Sequence, residues 1–211
     1  MMGLILKDIL ALKKYSRTLL LLSGFYLIWG LAMDNVSMIG GIITLLFSMM
    51  VITSFYYDDM AKWDAYALTL PVTRRDIITS KYLLSLLFIV IGSILSLLFM
   101  IILTLIRKES ITIELFIIMA AMLGIAVFFQ SIIIPIIIKL GTEKARMAMI
   151  GIFLLPTVIV MGISKLGIPK PSDAILQLLV QYLPWIVGCT ILIIFAISYY
   201  LSIHFMEQKE I

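Results

Sequence analysis

Polar positions are spread so unevenly along the 211 residues that the chain divides into six long apolar runs separated by short breaks. Windows of about 20 mostly apolar residues, the length that carries a helix across a bilayer, run approximately from Thr18 to Met33, Val36 to Phe55, Tyr82 to Ile106, Ile111 to Ile138, Met147 to Leu166 and Ile175 to Ile203. The pattern predicts an all-α, polytopic membrane protein with six transmembrane helices, forming a single domain over 1–211. Ile111 to Ile138 and Ile175 to Ile203 are long enough that a split or re-entrant segment would make five or seven spans. Pro135, Pro156 and Pro184 fall in or beside spans, where a missing amide donor kinks the helix and frees a carbonyl for packing geometry or for a substrate path.

Two segments depart from plain span. Within Met2 to Tyr15, Ile5, Ile9 and Leu12 share a helical face while Lys7, Asp8, Lys13 and Lys14 fall largely elsewhere, predicting an amphipathic interfacial helix over 1–17. It lacks the small-residue pattern of a cleaved signal, so it is expected to be retained, and its basic face suits an anionic cytoplasmic leaflet. The second segment, 56–76, is the longest polar break. Between Asp58 and Thr69 there is no Gly or Pro, and Asp59, Trp63, Tyr66 and Leu70 recur at helical spacing, predicting a short amphipathic helix. Pro71 disfavours helical geometry at Leu70, and Thr73 with Asp76 has the form of a capping box opening the next helix. Asp58, Asp59 and Asp64 are offset there by Lys62, Arg74 and Arg75. Trp63, Tyr66 and Tyr82 either anchor the segment at headgroup level, or Trp63 and Tyr66 enter a groove on a soluble partner while the charges fix register.

Composition removes the soluble classes: 63% hydrophobic residues, 13% charged and a mean hydropathy of +1.19 are incompatible with a water-facing surface. With six spans, Lys7, Lys13, Lys14, Arg17, Lys62, Arg74, Arg75, Lys81, Lys139, Lys144, Arg146 and Lys209 fall on one side and Arg107, Lys108, Lys165 and Lys170 on the other. Short basic loops stay cytoplasmic, which assigns both termini and the 56–76 loop to the cytoplasm of a plasma membrane. The net charge of +4 thus reflects topology rather than nucleic-acid binding. Gly40, Thr44 and Ser48, Gly92 and Ser96, and Ala120 and Gly124 repeat every four residues, faces that admit another helix either within the chain or at a homodimer seam. Span interiors hold no clear ionisable group, which weighs against proton- or sodium-coupled carriage unless Glu114 lies deep. Gln130, with Thr44 and Ser48, either bonds between helices or lines a cargo path. The 14 methionines form an adaptable cargo surface or ordinary packing.

The catalytic vocabulary is thin. No phosphate loop is present, nor any Gly-Lys dipeptide, so ATP hydrolysis by that loop is excluded. A single Cys189 and a single His204 exclude an intrachain disulfide, a thiolate zinc site and a multi-histidine site; Cys189 reads as inert packing and His204 as an interfacial side chain. Paired aspartates, a Ser/His couple and a His-Glu-x-x-His motif are missing from the spans, against intramembrane proteolysis. The chain is therefore not expected to be an enzyme or to carry a cofactor, and any engine belongs to another polypeptide.

The run Phe55-x-x-Asp58-x-x-x-x-Trp63-Asp64-x-Tyr66-x-Leu68-x-Leu70-Pro71-Val72-x-Arg74, continuing to Ser80-Lys81-Tyr82, resembles the signature of a short permease family among the type-2 ATP-binding cassette exporters of Gram-positive bacteria. That family includes membrane subunits of exporters for phenol-soluble modulins and for peptide antibiotics. The resemblance implies a coupling helix between the second and third spans, with Asp58, Asp59, Lys62, Trp63, Asp64, Tyr66, Leu70, Pro71, Arg74 and Arg75 in the docking region. It further implies a separate ABC ATPase dimer holding ATP and Mg, a second copy of this chain or a paralogous permease, and amphipathic peptide cargo. Thr69 and Thr73 stand where the family often has Ser. The rival expectation is a membrane scaffold or peptide-immunity protein whose loop binds a regulator.

Overall fold

The computed structural model describes the backbone of residues 2–32, 36–110, 112–165 and 173–209, and the side chains of these except 36–37, 153, 155–160, 163–165 and 173–185. The expected boundaries Met33, Ile111 and Leu166 and the cation Lys170 lie outside the described residues, as do the side chains of Pro156, Lys165 and Pro184. Every regular element among the described residues is an α-helix: α1 (Met2–Ala32), α2 (Val36–Ser48), α3 (Met50–Met60), α4 (Trp63–Ala67), α5 (Arg74–Ile106), α6 (Ile113–Leu140), α7 (Thr142–Lys165) and α8 (Asp173–Gln208). Among the described residues, four stretches are long and apolar enough to cross a membrane: Met38–Met60, Arg74–Ile106, Ile113–Leu140 and Ile186–Gln208. Both of the longest runs, α6 and α8, are unbroken, with Pro135 buried inside α6.

Three local expectations change. The amphipathic segment and the first apolar run are one 31-residue helix, α1, and the face it buries is Leu4, Asp8 and Leu12, while Ile9 is exposed. A charged residue defines that seam because its partners lie inside the bundle, as set out below. The second apolar run is interrupted at Met49: the Ile52 amide donates to the Met49 carbonyl three residues back (3.1 Å) instead of to Ser48. The helix expected over Asp58 to Thr69 is divided, because α3 runs on to Met60 and Lys62 turns left-handed (φ 49°, ψ 40°) before α4 begins. That conformation costs a non-glycine residue about 1–2 kcal/mol, and no Gly or Asn marks it in the sequence.

Small residues set the central seam. The Ser96 hydroxyl of α5 donates to the Gly40 carbonyl of α2 (3.0 Å), and a Cβ on Gly92 would lie 2.6 Å from Phe47 Cβ, so α2 and α5 meet at backbone distance. Gly124 of α6 faces Ile191 of α8, whose Cδ1 would be 3.1 Å from an added Cβ. Gly40, Gly92, Ser96 and Gly124 thus serve seams within the chain, while Ala120 is exposed. Thr44 and Ser48 bond back to their own helix, at the carbonyls of Gly40 (3.0 Å) and Leu45 (2.8 Å).

Contacts across the bundle gather one set of helix ends: the start of α1, the end of α3, α4, the start of α5, the α6–α7 junction and the end of α8. A core built on Phe55, Ala67, Ile77, Tyr82, Ile137 and Met206 underlies that end. At the opposite end the Arg107 Nη2 donates to the Gly30 carbonyl (2.9 Å), tying α5 to α1.

Candidate functional site

The site grows from the α3–α5 connection. After the left-handed Lys62, α4 contributes a single turn and a half, tightened at its close by bonds from Thr69 to Tyr66 (3.0 Å) and from Leu70 to Ala67 (3.1 Å). The Val72 amide then reaches the Leu70 carbonyl (2.7 Å), a three-residue turn about Pro71. The expected capping box forms: the Thr73 hydroxyl accepts from the Asp76 amide (3.1 Å) and the Asp76 carboxylate accepts from the Thr73 amide (2.9 Å). These bonds make the connection a folded unit whose ends are both fixed.

Its inner face is anchored in four ways. Ala67 is fully buried. Trp63 is half-buried, packs on the core and lies under the Lys7 ammonium, 4.2 Å from the ring centroid, a cation–π contact of about 0.5–2 kcal/mol. Asp64 pairs with Lys209 beyond the end of α8 (2.8 Å), and Asp59 accepts from the first amide of α7, Thr142 (3.2 Å). Its outer face presents Tyr66 at 58% exposure, Leu70 at 38% and Met60 at 69%, with Lys62, Pro71 and Arg75 exposed beside them. Met60 was not among the residues singled out from the sequence; its place on the apolar side of the loop is visible only once the turn at Lys62 redirects α4.

Asp58 and Arg74 face inward. Asp58 meets Lys7 (2.6 Å) and Lys81 (2.5 Å), and the same two lysines meet Asp8 at 2.9 and 3.0 Å. Asp8 and Lys81 are each only 2% exposed, the deepest charges of the site, and the sequence reading missed both as a pair. A lone acid in a basic segment was the available signal, but its partner lies 73 residues away. Arg74 spends its Nη1 on the carbonyls of Met206 (2.6 Å), Glu207 (3.0 Å) and Lys209 (2.8 Å), closing the end of α8, and Arg75 reaches Glu207 (3.4 Å) while remaining 72% exposed. A cavity of about 20 Å³ bounded by Asp58, Asp64, Lys81 and Lys209 has room for a single water, not for an organic ligand. No cluster of His, Cys, Asp or Glu fit for a metal occurs among the described residues.

Elsewhere, Gln130 is fully buried and its Nε2 donates to the Ser48 carbonyl, the group that the break at Met49 leaves without its usual amide. Gln130 and the Ser48 carbonyl therefore tie α6 to α2 at the break, while the Thr44 hydroxyl bonds within α2. Glu114 lies exposed in the first turn of α6, not deep in the bundle. His204 is exposed beside Gln208 (3.1 Å). Cys189 is exposed on α8 rather than packed inside.

An all-helical bundle of apolar helices, with a rigid polar connection bonded across one end, defines a polytopic integral membrane protein. The sequence model of the family described as ABC-2 family transporter protein matches residues 3–207, and the chain belongs to that family. No curated protein and no solved structure matches it.

Proposed function

We propose that this chain is the membrane-spanning permease subunit of an ATP-driven exporter, with hydrolysis on a separate ABC ATPase and amphipathic peptides as cargo. The observation that carries the reading is the α4 connection: welded to the bundle on its inner face, it offers Met60, Tyr66 and Leu70 outward beside Arg75 and Lys62. Aromatic residues and arginine are the usual anchors of a docked partner, and the family membership supports an ATPase as that partner. In this reading six helices span the plasma membrane, α2 and α3 together forming the second span, and both termini and α4 lie in the cytoplasm. The unit is a dimer of this chain or a pair with a paralogous permease. Trp63, Asp64 and Arg74 belong to the transmission element by holding it in place, and Tyr66, Leu70 and Pro71 by touching the partner.

The test is co-expression with a P-loop ATPase encoded beside the gene, followed by purification and measurement of ATP hydrolysis. Tyr66→Ala with Leu70→Ala is expected to abolish co-purification, since truncating a buried aromatic anchor costs about 2 kcal/mol or more. Retention of the complex at wild-type yield refutes docking through α4. A wild-type chain that binds no ATPase refutes the permease reading and favours the scaffold.

A further inference from the structure

Four charges close a ring at the inner face of the site. Asp8 of α1 contacts Lys7 through Oδ1 (2.9 Å) and Lys81 of α5 through Oδ2 (3.0 Å); Asp58 of α3 contacts Lys7 through Oδ1 (2.6 Å) and Lys81 through Oδ2 (2.5 Å). Each carboxylate bridges both ammonium groups. Lys81 donates to the Asp8 carboxylate (3.0 Å) and to the Ser54 hydroxyl (2.6 Å), and meets Asp58 Oδ2 as an ion contact. Its ammonium also sits 5.1 Å from the Phe55 ring. Lys7 differs: its side chain is 26% exposed and it also covers Trp63 of α4.

Stability does not account for such a ring. Taking charges out of water offsets most of their attraction, and buried ion pairs are commonly matched or exceeded by apolar residues of the same volume. Geometry is what the ring supplies that leucines cannot. Because each carboxylate has two partners, α3 can shift against α1 and open the Asp58–Lys7 contact while every charge keeps one partner. The connection runs from Trp63 to Lys7, from Lys7 to Asp8 and Asp58, and from these to Lys81, joining α4 to α1, α3 and α5.

We propose that this ring passes displacement of α4 into α1 and α5, with Asp8 and Lys81 acting as positioning residues for the transport step; the proposal rests on the permease reading above. Lys81, buried between two carboxylates and the Ser54 hydroxyl, is the pivot, and the more exposed Lys7 is the member that moves.

The experiment uses the full chain with its ATPase in proteoliposomes and a fluorescent amphipathic helical peptide as the transported probe. Two paired substitutions remove one charge of each sign and leave Lys7 with Asp58: Asp8→Leu with Lys81→Met, and Asp8→Asn with Lys81→Gln. Complex yield, melting temperature, ATP hydrolysis and peptide moved per ATP are read for each. The expected result is an intact complex that hydrolyses ATP, with peptide moved per ATP reduced about 5- to 150-fold, the usual range of coupling between linked sites. A purely structural ring would shift melting temperature and leave that ratio alone. An unchanged ratio in either assembled variant overturns the proposal, and failure of both to assemble assigns the ring to folding and overturns it as well. A wild-type chain that engages no ATPase shows instead that the permease reading has failed, and the proposal with it.

Discussion

Replacing Arg74 with Ala is expected to open the end of α8 while leaving the bundle folded. One guanidinium nitrogen serves three carbonyls there, Met206, Glu207 and Lys209, at 2.6, 3.0 and 2.8 Å, but it carries two hydrogens, so two bonds are the proper count. A hydrogen bond to a charged group contributes about 1.5–3 kcal/mol, and a cation at a helix C-terminus adds about 0.3–1 kcal/mol. Water takes over part of this at a half-exposed site, so a loss of about 2 kcal/mol is the working figure, drawn from the lower end of the hydrogen-bond range. Hydrogen–deuterium exchange of the protein in lipid nanodiscs reads it directly: the last turn of α8 should exchange roughly 30-fold faster, since about 1.36 kcal/mol is a factor of ten, while the centre of α5 is unchanged. Lys209 should also loosen its pairing with Asp64. Unaltered exchange at the end of α8, accompanied by loss of ATPase binding, would refute the clamp and make Arg74 a direct partner contact.

Two further outcomes follow from the packing. Gly92→Ala places a Cβ 2.6 Å from Phe47 Cβ and 3.4 Å from the Thr44 carbonyl; neither is the free end of a flexible chain, so overpacking should cost about 1–3 kcal/mol and lower the melting temperature in detergent, whereas an unchanged melting temperature would deny the α2–α5 seam. Gln130→Leu should cost about 0.6–1.7 kcal/mol, the measured scale for hydrogen bonds between membrane helices, seen as a lower melting temperature; a variant that keeps wild-type stability but loses transport would place Gln130 on a cargo path instead.

The sequence exposed those features that depend on local spacing. Small residues four apart marked the faces where α2, α5, α6 and α8 meet, and Thr73 with Asp76 announced the start of α5, because a helix period and a cap are properties of neighbouring residues. The Trp63 to Arg74 region was recognisable for the same reason. What stayed hidden depends on residues far apart in the chain. Asp8 looked like a surface acid because Lys81 is 73 positions away, and its burial turned the face of α1 that meets the bundle away from Ile9 and towards Leu4. Arg74 was placed in the docking region by the resemblance, and its role in closing α8 stayed hidden because its partners there are main-chain carbonyls, groups that side-chain patterns do not reveal. The left-handed Lys62 had no marker residue, and the break at Met49 is recorded only in the redirected amide of Ile52.

The bonds that hold the α4 connection also set a schedule for its assembly. Arg74 must wait for a carbonyl 132 residues downstream and Asp64 for an ammonium 145 residues downstream. At translation rates of about 5–20 residues per second, that delay is roughly 7–30 s, during which α3 and α5 have been made but the connection between them has no fastening on the α8 side. A chain interrupted before α8 would therefore hold the α4 connection through Lys7 and Thr142 alone, without the partners that Asp64 and Arg74 find at the end of α8.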